Sequence, residues 1–434
     1  MAAKNEPLDL TGTVARDLIR FDTSNYGDGR SKGEAEAAGY VEAFLQRLGL
    51  ATECFEPEKN RTSVVARIPG KDSRRGALLV HGHLDVVPAE TTGWEVDPFA
   101  GVVRDGVLWG RGAVDMKNMN AMILASLDSI LKGGHLPERD LIVAFLADEE
   151  DGGRLGAHHL VEKKPELFSD ATEAISEVGG YSIDVNGRRT YLIQTAEKSL
   201  IWLRLSAVGE LGHGSKVVKY SAVVHLAEAI SRLGRHEWPI ELTATTEALV
   251  STLAALLGLD RSIADPEEVV LATGAAGFIH GSLRTTANTT VIRGGNKHNV
   301  VPNYAEALVD VRTLPGEEGK VIEAIRQIVG NEIRVEVIKH LDGIEAPMDG
   351  RLMQTMSTAI LDHDPEATIV PYLMPGGTDN KAFAKLDIAG YGFVPLKLPS
   401  GFDFAGMFHN ENERVPLSSL TGGTSVLTQL MLHA

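Results

Sequence analysis

The run Ala77-Leu78-Leu79-Val80-His81-Gly82-His83-Leu84-Asp85 is an apolar stretch that ends directly in two histidines and an aspartate. A second stretch has the same build: Leu141-Ile142-Val143-Ala144-Phe145-Leu146, closely followed by Asp148-Glu149-Glu150. Between them, Asn118 to Leu131 has the apolar spacing of a helix. Strand, helix and strand in this order predict an α/β sheet covered by helices on both faces. In such sheets ligands gather at the carboxyl ends of the strands, and here those ends carry acids and imidazoles.

Three further clusters share that chemistry: Gly110-Arg111-Gly112-Ala113-Val114-Asp115-Met116-Lys117, Ile175-Ser176-Glu177 and Phe408-His409-Asn410. Each alone has a plain explanation. His83 and Asp85 fit a structural hydrogen bond in a polar loop, Asp115 fits a helix cap, and Glu149-Glu150 fits a solvated turn. Together they predict a metal site assembled from strand ends and loops. Imidazole and carboxylate donors without thiolate suit zinc, and also cobalt or manganese. A carboxylate such as Asp115 can bridge two cations. Adjacent side chains leave an extended chain on opposite sides, so one of Glu149 and Glu150 can bind metal while the other serves as general base.

The chain has 434 residues, 43% of them hydrophobic and 23% charged, which predicts more than one domain. Its net charge of −17 disfavours a nucleic-acid partner. Cys54 is the sole cysteine, so an intrachain disulfide and a multi-thiolate zinc site are excluded. Met1 to Pro7 lacks an apolar signal core, and no stretch has the length of a membrane span. A cytoplasmic protein with no membrane partner is expected.

The texture changes near Lys198. Leu200 to Ser206 alternates like a half-exposed strand, and helical spacing follows at Ser221 to Leu233. Strand-like stretches at Thr289 to Arg293 and Ala305 to Arg312, a helix at Lys320 to Val329 and a strand at Ile333 to Ile338 complete a small α+β layer. The expected organisation is a first domain over residues 1–197, an inserted domain over 198–339, and a return to the first domain over 340–434.

These motifs together resemble the co-catalytic dizinc amidohydrolases and exopeptidases: carboxypeptidase S, aminoacylase, acetylornithine deacetylase and succinyl-diaminopimelate desuccinylase. The resemblance covers nearly the whole chain, and Trp94-Glu95-Val96-Asp97-Pro98-Phe99 looks most like the carboxypeptidase S and N-acyl-amino-acid hydrolase branch. It implies a zinc-exopeptidase-like catalytic domain with a helix-flanked sheet, and an inserted α+β lid and dimerisation domain. His83, Asp115 and Glu177 would hold one metal, and Asp115, Glu150 and His409 the other. Asp85 would orient His83, and Glu149 would be the base. A cis peptide would follow Asp115. His213 would stabilise the oxyanion, often from the partner subunit of a homodimer. Asn299, Arg312, Lys198 and the loop Gly376-Gly377-Thr378 would contact substrate. The segment Glu247 to Ala287 would enlarge the lid. The implied activity is amide hydrolysis of N-acyl amino acids or small peptides with a free carboxylate. A dipeptidase or aminopeptidase with the same metals is the alternative enzyme, and a metal-binding regulatory relative without turnover is the alternative from another class.

Overall fold

The structure, a computed structural model, describes residues 8–27, 29–90, 92–273 and 276–434. The Met1 to Pro7 stretch lies outside them. A ten-stranded mixed sheet forms the larger unit. Its centre is built from Leu141–Leu146, Ala77–His83, Ala171–Ser176 and Ala389–Gly392, each parallel to its neighbour. The first two are buried along their whole length, which is why their sequences read as continuous apolar runs rather than alternating ones. Leu78, Val80, Leu141, Val143 and Phe145 enter the hydrophobic cluster on one face of the sheet. Ala77, Leu79, Ile142, Ala144 and Leu146 enter the cluster on the other. The expected two-sided burial is thus present, strand by strand.

Leu200–Val208, Tyr304–Arg312, Thr286–Gly294 and Arg334–Leu341 form a separate four-stranded antiparallel sheet. Its strands do alternate. Ile201, Leu203, Leu205 and Ala207 pack with Leu226 and Ala229 of helix Ala222–Gly234 and with Val321 and Ile325 of helix Glu318–Val329. The residues between them, Trp202 among them, face the other way. This sheet has its own core, distinct from those of the large sheet.

The segment expected to enlarge the lid packs elsewhere. Leu249, Val250, Leu253 and Ala254 of helix Ala244–Leu257, with Val269, Val270 and Leu283, join the core of the large sheet. The helix lies against strand Thr368–Met374, which pairs in parallel with Arg188–Glu197. The apolar face of the helix covers a strand far away in sequence, so nothing local revealed its destination.

The chain crosses from the large sheet to the small one at Lys198 and Ser199, where the pairing of Leu200–Val208 with Tyr304–Arg312 runs one step further. Ser199 donates its backbone N–H to the Thr313 carbonyl at 3.0 Å, and the two hydroxyls lie 2.7 Å apart. Beside them Lys198 is fully buried.

Candidate active site

Three parallel strand ends place the principal donors. His83 is the last residue of its strand, Glu177 directly follows Ala171–Ser176, and Glu149 and Glu150 lie in the turn after Leu146. Gly82 has no side chain because the helix Lys117–Lys132 presses on it: an added Cβ would strike Asn120 and Met116. That helix in turn braces the histidine, as Asn120 Nδ2 donates to the His83 carbonyl at 2.6 Å. Asp148, Val178 and His409 all adopt left-handed backbone, with φ of 72°, 58° and 58°. Such a conformation is unfavourable for a β-branched residue such as Val178, and at all three places it turns the chain at or beside a donor. The Asp115-Met116 peptide is cis, as the resemblance implied.

The imidazole of His83 is fixed through Nδ1, which lies 2.9 Å from the Asp85 carbonyl and 3.4 Å from Asp85 Oδ1. Its Nε2 then faces Asp115 Oδ1 at 3.0 Å and Glu177 Oε2 at 3.4 Å. The second oxygen of Asp115 faces His409 Nε2 at 3.3 Å, and His409 Nε2 also lies 3.2 Å from Glu150 Oε2. Asp115 therefore stands between two imidazoles, one oxygen toward each. Donor atoms of His83, Asp115 and Glu150 fall within 4.8 Å of one another, as do those of His83, Glu149 and Glu177. All the expected metal ligands and the expected base converge.

The Asp85 carboxylate does more than orient His83. It accepts hydrogen bonds from the backbone amides of Glu149 and Glu150, both at 3.1 Å, and from Asn25 Nδ2 at 2.9 Å. Behind it, Arg61 pairs with Asp148 at 2.7 Å and with Glu34 at 2.9 Å. Neither Asn25 nor Arg61 carried a signal in the sequence.

Six carboxyl groups, those of Asp85, Asp115, Glu149, Glu150, Glu177 and Asp379, crowd around two imidazoles. Burial and the neighbouring charges Glu177, Glu150 and Asp379 push Glu149 well above the usual carboxylate range. Burial and Asp115 do the same to Glu177, and burial pushes Asp379 up to about 8. Hydrogen bonds to Asp115 and Glu150 push His409 up to about 11. Such an excess of buried negative charge needs counter-charge. Two divalent cations would supply it, and the oxygen and imidazole donors fit them.

A cavity of about 210 Å³ opens beside the cluster, lined by Glu149, Glu150, Asp379 and His409 on one side and by Trp202, Arg312, Lys339 and Leu341 of the small sheet on the other. Gly377 and Thr378 also line it. Thr378 is held by Glu197, which accepts from its amide at 3.0 Å and from its hydroxyl at 2.6 Å. Gly376 is set back and faces Met374. A larger cavity of about 700 Å³, between Tyr181–Arg189 and Leu398–Ala405, holds none of the donors.

The remaining expected substrate contacts divide. Arg312 lines the cavity but is also paired with Asp310 through two hydrogen bonds of 2.7 and 3.1 Å. Lys198 does not line the cavity. Its ammonium is buried and donates to the carbonyls of Arg284 at 2.7 Å and Gly281 at 3.0 Å, so it is spent on the junction. His213 and Asn299 sit on a small ribbon where Gly212–His213 pairs with Val300–Val301. His213 is exposed and bonded to the Ser215 hydroxyl, and neither residue lines the cavity of its own chain. Asp379, Lys339 and Glu197 were missed. Asp379 directly follows the loop Gly376-Gly377-Thr378, and Lys339 lies one residue beyond the strand expected at Ile333 to Ile338.

A helix-flanked sheet that gathers paired imidazoles and a central carboxylate at its strand ends defines a metallohydrolase of amide or peptide bonds. The sequence pattern of peptidase family M20/M25/M40 matches residues 79–433, and the chain belongs to that family. It is 28% identical to human "N-fatty-acyl-amino acid synthase/hydrolase PM20D1", over 97% of this chain and 95% of the relative. It is 25% identical to pig aminoacylase-1, over 91% of this chain and 89% of the relative. Its fold is similar to that of the M20 family metallo-carboxypeptidase Sso-CP2 from Sulfolobus solfataricus, with a TM-score of 0.74 at 19% identity, covering 98% of this chain and 99% of that one.

Proposed function

We propose that this enzyme hydrolyses the amide bond of N-acyl amino acids bearing a free carboxylate, with two zinc ions as its metals. The observation that carries this reading is Asp115, with its two oxygens directed at His83 and His409. His83, Asp115 and Glu177 would hold one ion, and Asp115, Glu150 and His409 the other. When bound, the ions supply Lewis-acid polarisation of the carbonyl and a lowered pKa for water. Glu149 takes the proton of the attacking water on its carboxylate and hands it to the leaving nitrogen. Asp85 holds the Glu149-Glu150 turn still while this happens. The substrate lies in the cavity between the two sheets. A free substrate amine would call for an acidic anchor, whereas the small-sheet wall offers the Lys339 ammonium, which favours a carboxylate and an acylated amine. The similarity to the fatty-acyl-amino acid hydrolase and to aminoacylase-1 points the same way.

The small unit serves in this reading as a lid and dimerisation domain. Its edge strand Thr286–Gly294 pairs on one side only, and Ile292 on it is 65% exposed. Val223 and Val224 on the adjacent helix are exposed too. An open edge with apolar side chains favours pairing with a second copy. His213 of such a copy would stabilise the oxyanion. The reading is tested by assaying zinc-loaded protein on a panel of N-acyl amino acids and on matched dipeptides with free amines. Faster turnover of the free-amine dipeptides would overturn it in favour of a dipeptidase.

A further inference from the structure

Asp310, Trp202 and Lys339 lie opposite one another on three neighbouring strands of the small sheet. They form one row across the wall that faces the acid cluster. Trp202 donates its indole N–H to Asp310 at 3.3 Å, and the Lys339 ammonium rests on the Trp202 ring, 5.0 Å from its centre. Asp310 also neutralises Arg312 through two hydrogen bonds. Lys381, the third cation at the cavity, donates to the Asp342 carbonyl at 2.9 Å and lies 3.6 Å from Glu197. Among the described residues, no carboxylate or carbonyl pairs with Lys339. Its ammonium reaches across to the turn that carries Glu149, where Gly152, at φ 83°, leaves room for it. A Cβ there would collide with Nζ.

We propose that Lys339 is the specificity-determining residue that anchors the α-carboxylate of the substrate, with Trp202 as its platform. The proposal rests on the hydrolase reading above. In an N-acyl amino acid the carboxylate carbon is two bonds from the scissile nitrogen. Its anchor must therefore stand close to the base, and Lys339 lies over the glycine three residues after Glu149. A half-buried ammonium that no carboxylate touches directly is costly; Asp151, Asp148 and Glu149 attract Lys339 only at longer range, and a bound carboxylate would relieve that cost. Arg312, already matched to Asp310, holds the row in place rather than binding the anion.

The test compares an N-acyl amino acid with its C-terminal carboxamide, identical in acyl group and side chain, on wild type, Lys339→Met, Lys339→Arg and Arg312→Met. Wild type should prefer the free acid. Lys339→Met should reduce that preference roughly tenfold or more, chiefly through KM, as expected for loss of a charge-assisted hydrogen bond. Lys339→Arg should keep most of it. Equal losses on both substrates in Lys339→Met, or a preference that collapses in Arg312→Met instead, would overturn the assignment while leaving the hydrolase reading intact. A wild-type enzyme that cleaves neither substrate would remove that reading, and this inference with it.

Discussion

Asp115 Oδ2 lies 3.3 Å from His409 Nε2 although 294 positions separate the two residues in sequence. The last segment of the protein thus closes a site begun by its first strands. Replacement of Asp115 by Ala removes the one group shared by both halves of the cluster. We expect metal content to fall from about two ions per chain to one or fewer, and activity to fall by at least about a thousandfold. Elemental analysis of the folded variant checks the first part. Two ions retained in Asp115→Ala would show that the carboxylate bridges nothing.

Glu149→Ala should separate binding from chemistry. Both ions should remain, because His83, Asp115, Glu177, Glu150 and His409 are untouched. Hydrolysis should fall by roughly 10²–10⁴-fold, the usual contribution of a general base. Metal analysis and turnover on one preparation decide it. Full activity would assign the proton transfer to another group.

Lys198→Met tests the structural role of that side chain. Two partly buried carbonyls, those of Gly281 and Arg284, would lose this donor. A loss of about 1–3 kcal/mol in unfolding free energy is expected, with KM for an N-acyl amino acid little altered. A raised KM at unchanged stability would return Lys198 to the substrate pocket.

The metal-stripped protein should become less stable as the pH rises. Burial raises Asp379 from the usual carboxylate value to about 8 in the folded chain. Below about pH 4 both folded and unfolded states hold the proton. Between there and about pH 8 the unfolded chain releases it while the folded chain keeps it, so folding stability declines by up to about 1.4 kcal/mol per pH unit for such a group. Asp379→Asn should flatten the dependence of Tm on pH between 5 and 8. An equal slope in the variant and the parent would mean that Asp379 does not hold that proton.

Mixed dimers address the place of His213, which is exposed and away from the cavity of its own chain. Glu149→Ala and His213→Ala, each inactive, should regain up to about a quarter of wild-type activity when co-assembled in equal amounts, since random mixing gives half heterodimers with one intact site of two. No recovery in heterodimers shown to form would place the oxyanion donor within a single chain.

The central strands and the metal donors were legible because burial and chemistry coincide there. Leu141–Leu146 is apolar throughout since both its faces are covered, and the acids follow it directly. Arg188–Glu197 was not read as a strand, although most of it is buried. It mixes Arg, Thr and Gln with apolar residues, and Gln194 Nε2 and Glu197 find polar partners within the fold. Helix Ala244–Leu257 was not read as an element of its own, and its partner strand, Thr368–Met374, lies far along the chain, so the pairing could be found only in three dimensions. Arg61 and Asn25 support the site through hydrogen bonds to Asp148 and Asp85, and neither stands near those acids in sequence. Lys339 and Asp379 took on meaning only when the second sheet was set against the first.

Lys198 and Ser199 carry the chain from the large sheet to the small one, and Lys198 ties that crossing to the carbonyls of Gly281 and Arg284. The acid cluster lines one side of the cavity, and Trp202, Arg312 and Lys339 line the other. Glu149 and Lys339 thus reach one cavity from two sheets with separate cores. Substitutions in the small-sheet wall can then reshape the cavity while the acid cluster across it stays as it is.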